Sequence, residues 1–178
     1  MTNELWDARD QDGNLLGFDI PRGGPVIENV WHYVVDILPV TTDRRVLITR
    51  RHPAKPWGGF WEYTAGSVLK GEAPVDGALR ELREETGITV PAEALYPVSV
   101  YPHPGLDGWR NIYHSYITFF DPARQPVRLQ STEATAYKLL PYEDFKQFLK
   151  TPEFARPIAE RFQKHEQIYD EIIAKHNR

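Results

Sequence analysis

The chain has 178 residues, 41% of them hydrophobic, a formal net charge of −4 and no cysteine. That length suits one domain with a sizeable core rather than a disordered chain. The missing cysteines exclude disulfides, thiolate zinc sites and cysteine nucleophiles, and the acidic balance gives no reason to expect non-specific binding to a nucleic-acid polymer.

The N-terminal MTNELWDARDQDGNLLG lacks the basic and apolar regions of a signal peptide, and no apolar run reaches membrane-spanning length. A cytoplasmic chain without membrane contact is therefore expected. ELWDAR and LLGFDI flank DQDGN, whose Asp12-Gly13 pair predicts a tight hairpin turn. After the loop RGGP, the β-branched and aromatic run VWHYVVDILPV reads as a largely buried strand, with RRVLITRR as its neighbour. A Pro/Gly/Trp-rich loop, HPAKPWGGFW, leads to the short strand EYTA.

The first strong helix is predicted from Pro74 to Thr86, with proline in its first turn and Gly87 at the C-terminal cap. Gly77 inside it costs about 1 kcal/mol relative to alanine, which reads either as a tolerated loss or as a sign that a neighbouring strand approaches closely. Further strands are predicted at ALYPVSVYP, RNIYHSYITFF and ATAYKLL, and a short helix at YEDFKQFLK. From Thr151 onward Phe154, Ile158, Phe162, Tyr169 and Ile172 recur at mostly helical spacing. Thr151-Pro152 reads as N-cap and first position, with Pro157 dividing the segment into two pieces. This last helix is expected to pack on the core or support a homodimer. With no repeat or inter-domain linker, residues 1–178 read as a single α+β domain. It comprises an N-terminal hairpin extension at 1–28, the segment 66–88, and a C-terminal helical segment at 151–178.

Segment 66–88 reads GSVLKGEAPVDGALRELREETGI and holds five acids. With about 100° of rotation per residue, Glu84 and Glu85 lie at about 300° and 40° from Glu81, and Val75, Ala78, Leu79 and Leu82 fall between about 60° and 160°. A carboxylate face and an apolar stripe are thus neighbours on one helix, so the stripe can dock on a sheet while the carboxylates face a cleft. Like charges three and four residues apart repel. Either solvent relieves them, as on many charged helix faces, or a hard divalent cation does, through oxygen ligands that it shares with water and phosphate.

The segment resembles the Nudix box, G-x5-E-x7-R-E-U-x-E-E-x-G-U, in which U is a bulky aliphatic residue. Gly66, Glu72, Arg80, Glu81, Leu82, Glu84, Glu85, Gly87 and Ile88 fill every specified position. From average residue frequencies, a chance match somewhere in such a chain is on the order of 10⁻⁸. The resemblance implies an α/β/α sandwich around a mixed sheet, with the box as loop–helix–loop. It also implies Mg²⁺- or Mn²⁺-dependent hydrolysis of a diphosphate linkage in a small-molecule nucleoside diphosphate derivative. By the same resemblance Glu81, Glu84 and Glu85, with the Ala65 carbonyl, would hold the ion, and Arg80 would pair with Glu72 to brace the catalytic helix. The general base is open between Glu84, Glu133 in STEATAY and Asp107 in HPGLDGW.

Substrate contacts are expected from Arg50 and Arg51, whose guanidinium groups fork onto phosphate, within a basic cluster that includes His52 and Lys55. Stacking candidates are Trp57 and Tyr63, with Trp61, Tyr101 and Trp109 behind them; His103 and His114 are minor candidates. The N-terminal extension resembles the Nudix subgroup related to isopentenyl-diphosphate isomerase, but those isomerases use a cysteine that this chain lacks. YPHPGLDG resembles part of a loop of ADP-ribose pyrophosphatases, which puts ADP-ribose or a nucleotide sugar beside nucleoside di- and triphosphates as substrates. A non-catalytic nucleotide-binding module is the alternative reading.

Overall fold

The structure, a computed structural model, describes residues 4–104 and 109–176. Strands β1 (Leu5–Arg9) and β2 (Leu15–Pro21) form the N-terminal hairpin, with Trp6 opposite Ile20. Its turn is wider than the Asp12-Gly13 pair alone suggests. The Asp10 carboxylate accepts the N–H groups of Asp12 and Asn14 and the Asn14 side-chain amide, so the loop spans five residues. Gly13 takes φ +87°, which favours glycine.

Strand β3 (Trp31–Thr41) is the spine. Along one edge it runs parallel to β8 (Arg110–Phe120) for its whole length, and β7 (Tyr96–Pro104) adds antiparallel to β8. Other partners of β3 are β1 at its start, the short β6 (Ala65–Ser67) opposite Val34–Asp36, and β4 (Arg45–Arg51) through the hairpin at its end. Strand β4 then pairs with both β5 (Trp61–Glu62) and β9 (Ala134–Pro141). The predicted strand EYTA is therefore two short strands, separated where the Thr64 carbonyl accepts the Ile37 N–H.

The mixed sheet lies between two helical layers, and the pleat of β3 explains why its sequence is apolar on both faces. Val35 and Ile37 join Leu47, Val68 and Ile88 under Ala78 and Leu82 of α1 (Pro74–Thr86). Leu38 and Val40 face the other way, with Val46, Ile48 and Ile117. They pack under Phe145 of α2 (Tyr142–Phe148), Phe162 of α3 (Arg156–Lys164), and Tyr169 and Ile173 of α4 (Glu166–Lys175). No described helix is long and apolar enough to cross a membrane.

The C-terminal segment departs from expectation. Thr151 does not cap a helix that follows it; its hydroxyl donates to the Phe148 carbonyl and closes α2. Residues 151–155 cross to the sheet, where Trp61 donates to the Glu153 carbonyl and accepts from the Ala155 N–H. Helix α3 begins only at Arg156, so Pro157 sits in a first turn instead of dividing a helix, and the break falls at His165.

Candidate active site

The segment from β6 to the end of α1 is built around one arginine. Arg80 Nε and Nη2 fork onto the Glu72 carboxylate at 2.9 and 3.0 Å, and Nη2 also donates to the Ser67 carbonyl at 2.9 Å. Its Nη1 donates to Glu81 Oε1 at 2.7 Å and lies 3.5 Å from Glu84. Burial works against the Arg80 charge, but the bonds to Glu72 and Glu81 outweigh it and keep the guanidinium firmly protonated. Glu72 is likewise opposed by burial, yet Arg80 and the Leu69 N–H hold its carboxyl below the usual range.

Two glycines make this closeness feasible. A Cβ on Gly66 would fall within the Glu81 carboxylate, so glycine lets β6 lie against that side chain. A Cβ on Gly77 would stand 3.0 Å from Glu72 Oε2 and 3.3 Å from Val68 Cγ2. The close approach read from Gly77 is therefore real, but its partner is the loop after β6 and not a strand. At the other end of α1, Gly87 is left-handed (φ 75°) and donates to the Arg83 carbonyl. There the Arg128 N–H donates to Thr86 and the Gln130 N–H to Glu85, tying the segment that carries Glu133 to the end of the helix.

Glu62, Glu81, Glu85 and Glu133 act on one another at this end, with Glu84 acting on Glu81. Burial pushes the Glu81 carboxyl above the usual range against the pull of Arg80, and Glu84 adds to the push. Glu85 is pushed well up, by burial first and then by Glu62, Glu81 and Glu133, with Arg51 offsetting only part. Among the described residues no hydrogen-bond donor meets the Glu85 side chain. Glu84, 45% exposed, faces solvent. The last turn of a helix is also its negative pole, which adds to the repulsion.

Glu62 is the member that sequence reasoning missed. It is buried on β5, accepts from Arg51 Nη1 at 2.7 Å, and is pushed up to about 7 by burial, with Glu133 adding and Arg51 and Arg161 pulling back. The available signal was a lone glutamate inside the apolar strand FWEYTA. Glu133 is joined to the site by its backbone carbonyl, which accepts the His52 N–H at 2.7 Å, and by its carboxylate, which pairs with Lys55.

The other expected residues divide. Arg51 lies in the cluster, committed to Glu62 and to the Pro56 carbonyl. Arg50 is exposed and braces the Gly59 carbonyl. Trp57, at a strained φ of 60° and 42% exposed, stands in the loop between β4 and β5 with its ring edge on Phe60. Tyr63 must be corrected. It is 1% exposed and packs among Phe145 and Phe154 under α2, so its ring presents no face on which a substrate could stack. Trp61 and Trp109 are core residues too. His114 packs on Tyr33, and burial with help from Arg9 lowers it to about 4. Ala65 is partly exposed, beside Gly66 on β6. Asp107 and Gly105 lie outside the described residues.

Among the described residues no three acidic or histidine side chains stand gathered around one point. What α1 does present is crowded hard oxygens: Glu81 held aside by Arg80, Glu84 in solvent, and Glu85 half-buried without a donor among the described residues. Such a set fits a hard divalent cation, which supplies the missing positive charge.

Fold and site together define a helix–sheet–helix sandwich with an acidic, arginine-braced helix on one face of the sheet. The NUDIX domain profile matches residues 30–162, and the chain belongs to that family. Nudix hydrolase 3 of Arabidopsis thaliana is 29% identical over 161 residues, which cover 84% of this chain and 21% of that protein. The chain thus spans about a fifth of that relative's length. Among solved structures, DR0079 from Deinococcus radiodurans superposes with a TM-score of 0.73 at 21% identity, covering 91% of this chain and 99% of its own. The NUDIX domain of Shewanella oneidensis NrtR, solved with ADP ribose, gives 0.61 at 20% identity over 79% and 87% of the two chains.

Proposed function

We propose that this chain is a pyrophosphohydrolase that cleaves a diphosphate linkage in a small-molecule nucleoside diphosphate derivative and depends on Mg²⁺ or Mn²⁺. The observation that carries the reading is the half-buried Glu85 carboxylate, crowded by Glu62, Glu81 and Glu133 and met by no hydrogen-bond donor among the described residues. Glu81, Glu84 and Glu85, with the Ala65 carbonyl, are the residues that would hold the ion. When bound, it neutralises phosphate oxygens and makes water more acidic. The chain's own residues do the rest. Arg80, fixed by Glu72 and Ser67, orients Glu81. Glu133, tied to the end of α1 through Gln130 and held by Lys55, takes the proton of the attacking water on its carboxylate. Arg51 limits the repulsion within the cluster, and the exposed Trp57 offers a stacking face to the substrate.

The NUDIX domain of NrtR, solved with ADP ribose, is similar in fold and supports the substrate class. The test is turnover by purified protein with Mg²⁺ or Mn²⁺ on a panel of nucleoside di- and triphosphates, nucleotide sugars, ADP-ribose and dinucleoside polyphosphates. Release of two phosphate-bearing products from at least one compound is expected. Binding without turnover across the panel would replace the enzyme with a nucleotide-binding module.

A further inference from the structure

The loop between β4 and β5 meets the segment after Gln130 twice at one residue. The His52 N–H donates to the Glu133 carbonyl at 2.7 Å, and the Lys55 ammonium pairs with the Glu133 carboxylate. The backbone of this junction does not need the ion pair. The Lys55 N–H donates to the His52 carbonyl, the Ala54 N–H to His52 Nδ1, and the Gly58 N–H to the Lys55 carbonyl. The loop doubles back so tightly that a Cβ on Gly58 would stand 2.5 Å from the Pro53 carbonyl oxygen. On the other side, the Glu133 N–H donates to the Gln130 carbonyl, and the Gln130 N–H donates to the Glu85 carbonyl. These backbone bonds keep residue 133 beside the end of α1 whether or not its side chain is paired.

The cations around the carboxylates differ in how firmly they are held. Arg80 is committed to Glu72, Ser67 and Glu81, Arg51 to Glu62 and the Pro56 carbonyl, and Arg50 to the Gly59 carbonyl. The Lys55 ammonium meets Glu133 alone among the described residues, and the two side chains are 24% and 27% exposed. An ion pair this open to solvent is worth little, so exchanging one partner for another is cheap. Lysine carries a point charge on a flexible stem, which can swing while the backbone stays fixed. A diphosphate brings more negative charge than one carboxylate and more oxygens to accept from the three ammonium donors. The same loop carries the exposed Trp57, so a substrate that stacks there comes down beside Lys55.

We propose that Lys55 changes partner when substrate binds: it holds the Glu133 carboxylate beforehand and passes to the diphosphate, so that Glu133 is released only once substrate is seated. This rests on the hydrolase reading for the role of Glu133, but its test reads binding and not turnover. Calorimetry with inorganic pyrophosphate at fixed Mg²⁺ would compare the wild type, Lys55→Met, Glu133→Gln and the double variant. Lys55→Met should bind pyrophosphate about 10- to 100-fold more weakly, the range for losing a charged hydrogen bond. Glu133→Gln should bind it about 2- to 5-fold more tightly, because the ammonium no longer has to leave a carboxylate. In the Lys55→Met background the same Glu133→Gln change should lose most of that gain, and this coupling is the signature of the exchange. Lys55→Gln carries the same cycle if Lys55→Met does not fold. Unchanged affinity on removing the lysine, no gain in Glu133→Gln, an equal gain in both backgrounds, or a wild type that does not bind pyrophosphate would overturn the proposal. A wild type that shows the coupling but hydrolyses nothing in the substrate panel would retire the hydrolase reading and leave the exchange of partners standing.

Discussion

Gly66→Ala separates what the backbone needs from what the site needs. Gly66 is not in the left-handed region, and it sits in β6 opposite Val35, where alanine is tolerated. The added Cβ would nevertheless occupy the space of the Glu81 carboxylate, which must swing away and give up its 2.7 Å bond from Arg80. Arg80 keeps Glu72 and Ser67, so the fold loses one charge-assisted hydrogen bond, about 1.5–3 kcal/mol at most. In a chain of this size that lowers Tm by roughly 3–12 °C. Losing one ion ligand should lower kcat/KM at least about 100-fold, because the neutralised phosphate charge is the main catalytic contribution. A thermal scan and a turnover assay on the same sample read both numbers. Near wild-type turnover in Gly66→Ala would refute the argument. So would a loss of stability well beyond one hydrogen bond, which would make Gly66 a backbone requirement.

Other outcomes follow from the carboxylates and the buried histidine. Glu85→Gln removes a carboxyl crowded by Glu62, Glu81 and Glu133, so without metal ions the variant should melt above the wild type at neutral pH; a lower melting temperature in chelator would show that the crowding is not costly. The Glu62 carboxyl is raised from 4.5 to about 7, so the folded state holds its proton longer than the unfolded one. Its contribution to stability therefore declines as pH rises from 4.5 to 7, by at most about 3 kcal/mol. Urea titrations of Glu62→Gln in chelator should show a flatter decline over that range than the wild type. His114 has the opposite sign: lowered from 6.5 to about 4, it leaves stability whole above 6.5 and erodes it as pH falls toward 4. His114→Asn should lessen that acid loss; an unchanged acid limb would mean that other groups set it.

Much of the site was legible because its logic is local. Helix α1 sets Glu81, Glu84 and Glu85 by rotation alone, and Arg80 reaches back only as far as Glu72 and Ser67. What escaped was assembled by pairings distant in sequence. Glu62 enters the cluster because β5 joins β4, where Arg51 waits, and because residues 128–133 fold back onto the end of α1. The Asp36–Arg161 pair joins residues 125 apart. Tyr63 was misjudged because aromatic type says nothing about which way a short strand turns its side chain, and here the ring enters the core beneath α2. The start of α3 was misplaced for a related reason. Thr151-Pro152 has the chemistry of a helix start, but the chain turns there instead and the bonds between Trp61 and residues 153–155 draw it to the sheet before α3 begins.

The most direct test of the account is a Mn²⁺ titration followed by electron paramagnetic resonance, with turnover of the best panel substrate measured on the same samples. Wild type and Glu81→Gln should have the same far-ultraviolet circular dichroism. The account predicts at least about 10-fold weaker Mn²⁺ binding in the variant, the scale on which removing metal-site support acts, with turnover falling alongside it and abolished in wild type by chelator. Equal Mn²⁺ affinity in the two proteins, or hydrolysis that persists in excess chelator, would contradict it.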